Sequence, residues 1–462
     1  MMEIGGNNVR LHLAPMVRIG VLPFRLLSLD YGADLVYSEE LIDFKMLQCS
    51  RVQNDILHTI DFVSPGEDSR PVFQTCSKER ERVIFQIGTS NAERAVAVGK
   101  LVENDVAGFD VNMGCPKAFS IKGGMGAALL KDPDKIENIL SSLVSALNVP
   151  ISCKIRILPK LEDTLALCHR IERTGIARLA VHGRLTDERP RHPNHNDVIR
   201  EVARALSIPV IANGDSGVIE SFADAQRFGT QTCCSQVMLA RCARANPSVF
   251  CRDQRLLSLH DDVIPRYLKY AVDYEACYQV AKYTLQQMLG DEQQTTERGR
   301  NLLSTASLDE ICQLWDLGDY YREKSADIRD RRQRSFRSGC MNNFVQKCGI
   351  NPEKHLNNTV RLQRILDCEK EFIDKHRTAT IRIENDAVDE MISAENDHGL
   401  LQMEVKYIPK NFEGSSAKQI LHQWCSCNNV SLPSYTSITG FNGKKFRSVT
   451  DVCARRFSSS FW

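Results

Sequence analysis

Long apolar runs are missing from this chain. No stretch approaches bilayer-spanning length, and Met1-Met-Glu-Ile-Gly5 lacks the charged and apolar regions of a secretory signal. No membrane association is therefore expected, and a cytoplasmic location is. A C-x-x-C pair is missing too. The 17 cysteines are an odd number, scattered except for Cys233-Cys234 and Cys425-Ser-Cys427. That argues against a disulfide framework and a zinc site, predicts no metal, and fits a reducing compartment. Net charge is almost absent: 59 Lys and Arg against 58 Asp and Glu leave +1, so any basic surface must be local. The composition is that of a soluble globular protein, with 42% apolar and 25% charged residues. The 462 residues suffice for two or three domains.

From Val9 to about Ala240, short apolar runs alternate with amphipathic stretches. The spacing predicts eight strands, at Val9–Met16, Ala33–Glu39, Val83–Gly88, Gly108–Gly114, Pro150–Arg156, Arg178–Gly183, Pro209–Gly214 and Thr232–Ala240. Between them, Asp132-Pro133 opens a helix whose apolar face is Ile136, Ile139, Leu140, Leu143 and Leu147. Another helix runs from Leu161 to Thr174 and stops at Gly175. Repeated β-α units imply a parallel sheet, and eight of them imply an α/β fold of the closed (β/α)8 TIM-barrel type over residues 1–255. A doubly wound open sheet is the alternative.

After Arg241 the pattern turns helical. Pro265–Leu289 and Leu302–Tyr321 read as helices of a small domain spanning 256–335, and the arginine-rich stretch Arg322–Arg337 reads as a solvated helix face or a linker. Residues 336–411 mix short apolar patches with Asn and acidic residues and read as a partly disordered connection. In the tail, 412–462, a helix is expected at Ala417–Asn428, then strands at Leu432–Thr439, Lys444–Val452 and Arg456–Trp462. From Leu401 onward eight positive residues face three negative ones, a local basicity that suits an RNA backbone.

The most informative segment is Asp110-Val-Asn-Met-Gly-Cys115-Pro116, followed by Lys122-Gly-Gly-Met-Gly126. Pro116 and the glycines extend neither strand nor helix, so the thiol of Cys115 sits in a shaped loop. On a parallel barrel that loop lies on the face that carries the chemistry, and a thiol there serves as nucleophile or proton donor. Other strand ends carry further polar groups. Pro15 in Ala14-Pro15-Met16 leaves a turn with exposed backbone groups. Gln86 ends the third strand, Asn112 the fourth, Lys154 and Arg156 lie on the fifth, and His182 ends the sixth. Asn213-Gly214-Asp215 and Ala240-Arg241 end the last two strands, where such barrels commonly hold a phosphate. Lys154 and Gln86 suit the electron-rich end of a flavin. Singly, each has a structural explanation; together they point to a flavin.

These motifs, in this order, resemble the tRNA-dihydrouridine synthases: Ala14-Pro15-Met16, Phe85-Gln86-Ile-Gly88, Asn112-Met-Gly-Cys-Pro116 with Lys122-Gly-Gly-Met-Gly126, Cys153-Lys154-Ile-Arg156, Val181-His182-Gly183, Ala212-Asn-Gly214 and Leu239-Ala-Arg241. Residues 260–325 look like that family's helical domain. The tail is similar to a double-stranded RNA-binding domain of α-β-β-β order without its final helix. The combination resembles the eukaryotic dihydrouridine synthase two branch, which acts on uridine 20 of cytoplasmic tRNA. The resemblance implies bound FMN, NADPH as reductant, tRNA as partner, and Cys115 as the acid that protonates carbon 5 of a uracil while carbon 6 receives a hydride. It implies FMN contacts from Pro15, Met16, Val17, Gln86, Lys154 and His182, and from Asn213, Gly214, Asp215, Ala240 and Arg241. Asn112, Lys122 and Arg156 would face the uracil or its phosphates, and Lys418, Lys444, Lys445 and Arg447 would meet RNA. Asp215 stands where close relatives carry a second glycine. The expected species is a monomer. An FMN barrel acting on free pyrimidines and a non-catalytic RNA-binding protein remain as alternatives.

Overall fold

The computed structural model describes residues 9–64, 70–214, 217–252, 255–337, 434–439, 446–452 and 455–461. In chain order the strands are β1 (Arg10–Leu13), β2 (Leu35–Tyr37), β3 (Leu41–Ile42), β4 (Ser50–Asn54), β5 (Thr59–Val63), β6 (Pro71–Cys76), β7 (Val83–Gly88), β8 (Gly108–Met113), β9 (Ile151–Arg156), β10 (Arg178–His182), β11 (Val210–Asn213), β12 (Gln236–Leu239), β13 (Ser434–Thr439), β14 (Phe446–Val452) and β15 (Arg455–Phe461). The eight strands β1, β2, β7, β8, β9, β10, β11 and β12 pair in parallel, and β2 pairs β7 to close the ring. All eight expected barrel strands are present, and the open-sheet alternative falls.

The ring's strands are covered on both faces, by the barrel interior on one side and a helical jacket on the other. One parity points inward: Tyr37, Ile84, Ala180, Ile211 and Met238 pack together inside. The other parity, with Leu11, Leu13, Phe85, Phe109, Leu179 and Val181, joins the helices in a continuous outer core. Helix Pro133–Ala146 starts as expected, with Pro133 in its first turn and the Asp132 carboxylate accepting from Lys135 N at 3.1 Å. It buries Ile136, Ile139, Leu140 and Leu143. The helix Leu161–Arg173 ends before Gly175, whose φ of +85° glycine tolerates without strain.

Three features depart from the sequence reading. First, β4, β5 and β6 form an antiparallel sheet inserted before β7. It is fastened by Phe62 and Phe73, whose rings lie 5.6 Å apart, and by Phe73 against Phe85 at 5.0 Å. Beneath it Arg25 makes a two-pronged bond to Glu79 (2.8 and 2.6 Å), with both side chains almost fully buried. Second, the stretch read as one helix at Pro265–Leu289 is two, Ile264–Asp273 and Tyr278–Leu289, broken where Glu275 takes φ +47°. Third, Leu302–Tyr321 is divided among helices Glu297–Ser304, Leu308–Leu314 and Gly318–Arg337, and the last absorbs the arginine-rich stretch. Its Arg331 donates to Ile56 O at 2.6 Å, between β4 and β5.

The three tail strands β13, β14 and β15 form an antiparallel sheet of their own, in the order expected. The expected helix Ala417–Asn428 and nearly all of the expected connection 336–411 lie outside the described residues. Among the described residues no helix is long and apolar enough to cross a membrane, and no cluster of three metal-ligating side chains occurs.

Candidate active site

Parallel pairing puts register partners on the same side of a sheet, so the inward parity can be followed up the barrel to its C-terminal rim. Gln86 pairs with Asp110, Asn112 with Lys154, Arg156 with His182, and His182 with Asn213. Lys154 in turn pairs with Ala180, which lies inside the barrel. The strand-end residues singled out from sequence therefore share the barrel's interior face, on successive rungs toward one mouth.

They are wired in part. Gln86 Nε2 donates to Asp110 at 2.8 Å, and Asn112 Nδ2 donates to Gln86 Oε1 at 3.2 Å. Ser152 Oγ donates to Asp110 at 2.6 Å. Even so, burial pushes the Asp110 carboxyl up to about 6. Asn213 spends its amide on Met238 O at 2.9 Å. Gly214 has φ +129°, and a Cβ there would overlap the Asn194 side chain, so this position requires glycine for reasons internal to the fold. Asp215 lies outside the described residues, as do Lys418, Lys444 and Lys445, while Arg447 sits on β14 opposite Ser460. Pro15 and Met16 are half-buried at the end of β1, Val17 is exposed, and Lys122 is exposed at the end of the short helix Ala118–Lys122.

The far wall is cationic. Lys154 has no ion pair or hydrogen bond among the described residues, and burial, then Arg156, lower its pKa to about 8. Among the described residues Arg156 bonds two carbonyls, Gly114 O at 3.0 Å and Leu185 O at 2.8 Å. His182 sits among Lys154, Arg156, Arg184 and Arg241, and burial plus those four charges hold it neutral, far below the usual imidazole range. Arg184 Nη1 lies 3.2 Å from His182 Nε2; the guanidinium must be the donor, so the ring proton belongs on Nδ1. Four cations around a neutral imidazole form a site that attracts an anion. A flavin mononucleotide, with its phosphate and its electron-rich ring edge, fits that wall.

Cys115 stands beside this wall, next to Gly114, whose carbonyl accepts from Arg156. Asn112 Oδ1 accepts from Gly114 N and Cys115 N at 3.1 and 3.0 Å, and Ala127 N donates to Cys115 O at 3.0 Å, so the loop is pinned from both ends. Gly126, at φ +57°, lies so close that a Cβ would overlap Ser120 Oγ and come within 2.7 Å of Cys115 O. Burial, then the neighbouring Glu40 carboxylate, raises the Cys115 pKa, so the sulfur is held as a thiol. It is suited to give a proton.

The family described as dihydrouridine synthase (Dus) matches residues 12–331. The chain belongs to the dihydrouridine synthase family. The match spans the barrel and the helices that follow it. Among curated dihydrouridine synthases, the tRNA-dihydrouridine(20) synthase (NAD(P)+) of Schizosaccharomyces pombe is 41% identical over 291 residues, covering 60% of this chain and 59% of that protein. The protein of the same name in Saccharomyces cerevisiae is 44% identical over 253 residues, covering 52% of this chain and 66% of that one. A human tRNA-dihydrouridine(20a/20b) synthase (NAD(P)+)-like protein is 32% identical over 240 residues, 51% of this chain and 69% of that one. The chain thus spans under two thirds of the two yeast relatives it matches.

Sequence reasoning missed three parts of this dihydrouridine synthase mouth. Arg184, which orients His182, lies two residues past a strand end, where periodicity is silent. Ser120 is hidden in a helix of five residues. Glu40 belongs to a break in the second barrel strand, and Glu39-Glu40 after an apolar run was its only signal.

Proposed function

We propose that this chain reduces the 5,6 double bond of a uridine in the D-loop of tRNA, at position 20, with NADPH as the electron source. The observation that carries the reading is the loop thiol of Cys115, next to Gly114 whose carbonyl accepts from Arg156 at 3.0 Å, at the barrel mouth that also carries Lys154, His182 and Arg241. The names of the two yeast relatives, tRNA-dihydrouridine(20) synthases, support the substrate and the position.

FMN, when bound, supplies the hydride for carbon 6 of the base. The chain's own residues do the rest. Lys154 and Gln86 would hold the electron-rich edge of the flavin, and Met16 with its neighbours Pro15 and Val17 would contact it from the end of β1. His182, Asn213, Gly214, Asp215, Ala240 and Arg241 hold its ribityl phosphate end. Asn112 fixes the Cys115 loop, and Cys115 gives the proton to carbon 5. The uridine must leave its stack to enter the mouth, and Arg156 and Lys122 receive it or its phosphates. The basic tail, with Lys418, Lys444, Lys445 and Arg447, adds sequence-independent grip on the RNA backbone. The enzyme works as a cytoplasmic monomer, with residues 1–255 catalytic, 256–335 a helical tRNA-binding part, 336–411 a connection and 412–462 the RNA-binding tail.

Purified protein, NADPH and unmodified tRNA provide the test. The expected result is a flavin spectrum and one uridine gaining two hydrogens by mass spectrometry. Reduction of free uracil with tRNA untouched would replace this reading with that of a free-pyrimidine enzyme. A protein that binds tRNA but no flavin would make it a non-catalytic RNA binder.

A further inference from the structure

The second barrel strand is broken. β2 pairs β7 through Val36 with Val83 and Tyr37 with Ile84; β3 resumes on the same neighbour through Leu41 with Ile87 and Ile42 with Gly88. Four residues of advance on one strand match three on the other, so Ser38-Glu39-Glu40 contains one residue too many. An extra residue in a ladder re-aims the side chains beside it, and such bulges gather next to active sites. Here the break turns Glu40 over Gly88 and toward the Cys115 loop. A Cβ at Gly88 would stand 2.8 Å from Glu40 Oε1, so the carboxylate packs against the bare backbone of that glycine and a larger residue would displace it. That oxygen is buried without a hydrogen-bond partner, and the carboxylate lies close enough to the Cys115 sulfur for each to shift the other's pKa. Ser120 Oγ is wholly buried beside the same sulfur and makes no hydrogen bond of ordinary geometry.

We propose that Glu40 is the positioning residue for Cys115: it accepts the S–H, holds the sulfur in its acid form, and drives its reprotonation after each proton transfer. The inference rests on the reading of Cys115 as the proton donor. When the Sγ–H bond breaks and a C5–H bond forms, a thiolate is left beside a carboxylate. Two like charges in a half-buried site repel, so the pair takes one proton from water and the thiol is restored. Other charges bear on the pair: Lys117 attracts the Glu40 carboxylate, and Lys154 and Arg156 from β9 favour the thiolate. Glu40 opposes those two cations. Burial raises the Glu40 pKa as well, so the carboxyl holds a proton more readily than an exposed one.

The test is the alkylation of Cys115 by iodoacetamide as a function of pH, followed on the Cys115 peptide by mass spectrometry in the full chain. It needs neither NADPH nor RNA, so its failure leaves the proposed reaction standing, and absence of tRNA reduction leaves this test intact. The wild-type midpoint should lie above the ordinary thiol range. Glu40→Gln should lower it by about one unit, giving about tenfold faster alkylation at neutral pH and an unchanged plateau at high pH. Glu40→Asp keeps the charge but withdraws it, and should fall between the two. An unchanged midpoint in Glu40→Gln overturns the proposal even if the plateau moves, because a merely structural role alters access and not the titration. Should that variant fail to fold, a wild-type midpoint at or below the ordinary value overturns it equally.

Discussion

Replacing Lys154 with methionine should push stability and flavin binding in opposite directions. In the unfolded chain Lys154 titrates at its ordinary 10.5; in the barrel it titrates at about 8. Below pH 8 both forms carry the proton, and folding has to bury the charge without an ion-pair partner. That penalty is complete below pH 8 and fades as pH rises to 10.5, where the folded protein has released a proton that the unfolded chain keeps. The gap corresponds to roughly 3 kcal/mol at neutral pH, an order-of-magnitude figure. Methionine keeps the length of the apolar stem and drops the charge. Flavin-stripped Lys154→Met should therefore be more stable than the wild type at pH 7 by up to that amount, and the advantage should shrink toward pH 10. Flavin affinity should fall in the same variant, by up to roughly a hundredfold if the anion recovers most of the penalty. Urea unfolding of the stripped proteins at several pH values, with FMN titration followed by fluorescence, measures both. A variant that is less stable at pH 7 and binds FMN normally would refute the account of the cationic wall.

Three further outcomes are expected. Cys115→Ala should retain FMN and lose most uridine reduction in a single-turnover assay with tRNA; full activity would remove Cys115 as the acid. Arg241→Ala should lower the flavin content of the purified protein, and an absorbance ratio equal to the wild type would remove Arg241 from the phosphate end. Glu79→Ala should destabilise the barrel by about 3–5 kcal/mol in urea unfolding, because it leaves the Arg25 guanidinium buried and unpaired.

Much of this fold was legible because parallel barrel strands are buried on both faces and read as short apolar runs between helices. Strand ends then singled out Gln86, Asn112, Lys154 and His182 as groups that meet at one mouth of the barrel. The inserted β4-β5-β6 sheet escaped because one face is solvated: β4 is Ser-Arg-Val-Gln-Asn, with Val52 its only buried residue. The break between the helices at Tyr274–Cys277 escaped because it contains neither glycine nor proline; a left-handed Glu275 makes the turn. Glu40 escaped for a different reason. The other groups were singled out by their place at or near strand ends, and the extra residue of a bulge leaves no such mark in the sequence.

The extra residue between Tyr37 and Leu41 also says how this barrel would respond to a deletion. Removing one residue from Ser38-Glu39-Glu40 would let β2 and β3 run on as one uninterrupted strand along β7. The ladder would gain regularity, and Leu41 and Ile42 would keep their neighbours. The carboxylate would leave the Cys115 loop. A screen that rewards thermal tolerance alone would select that shortened strand, and the same population sorted for dihydrouridine would discard it.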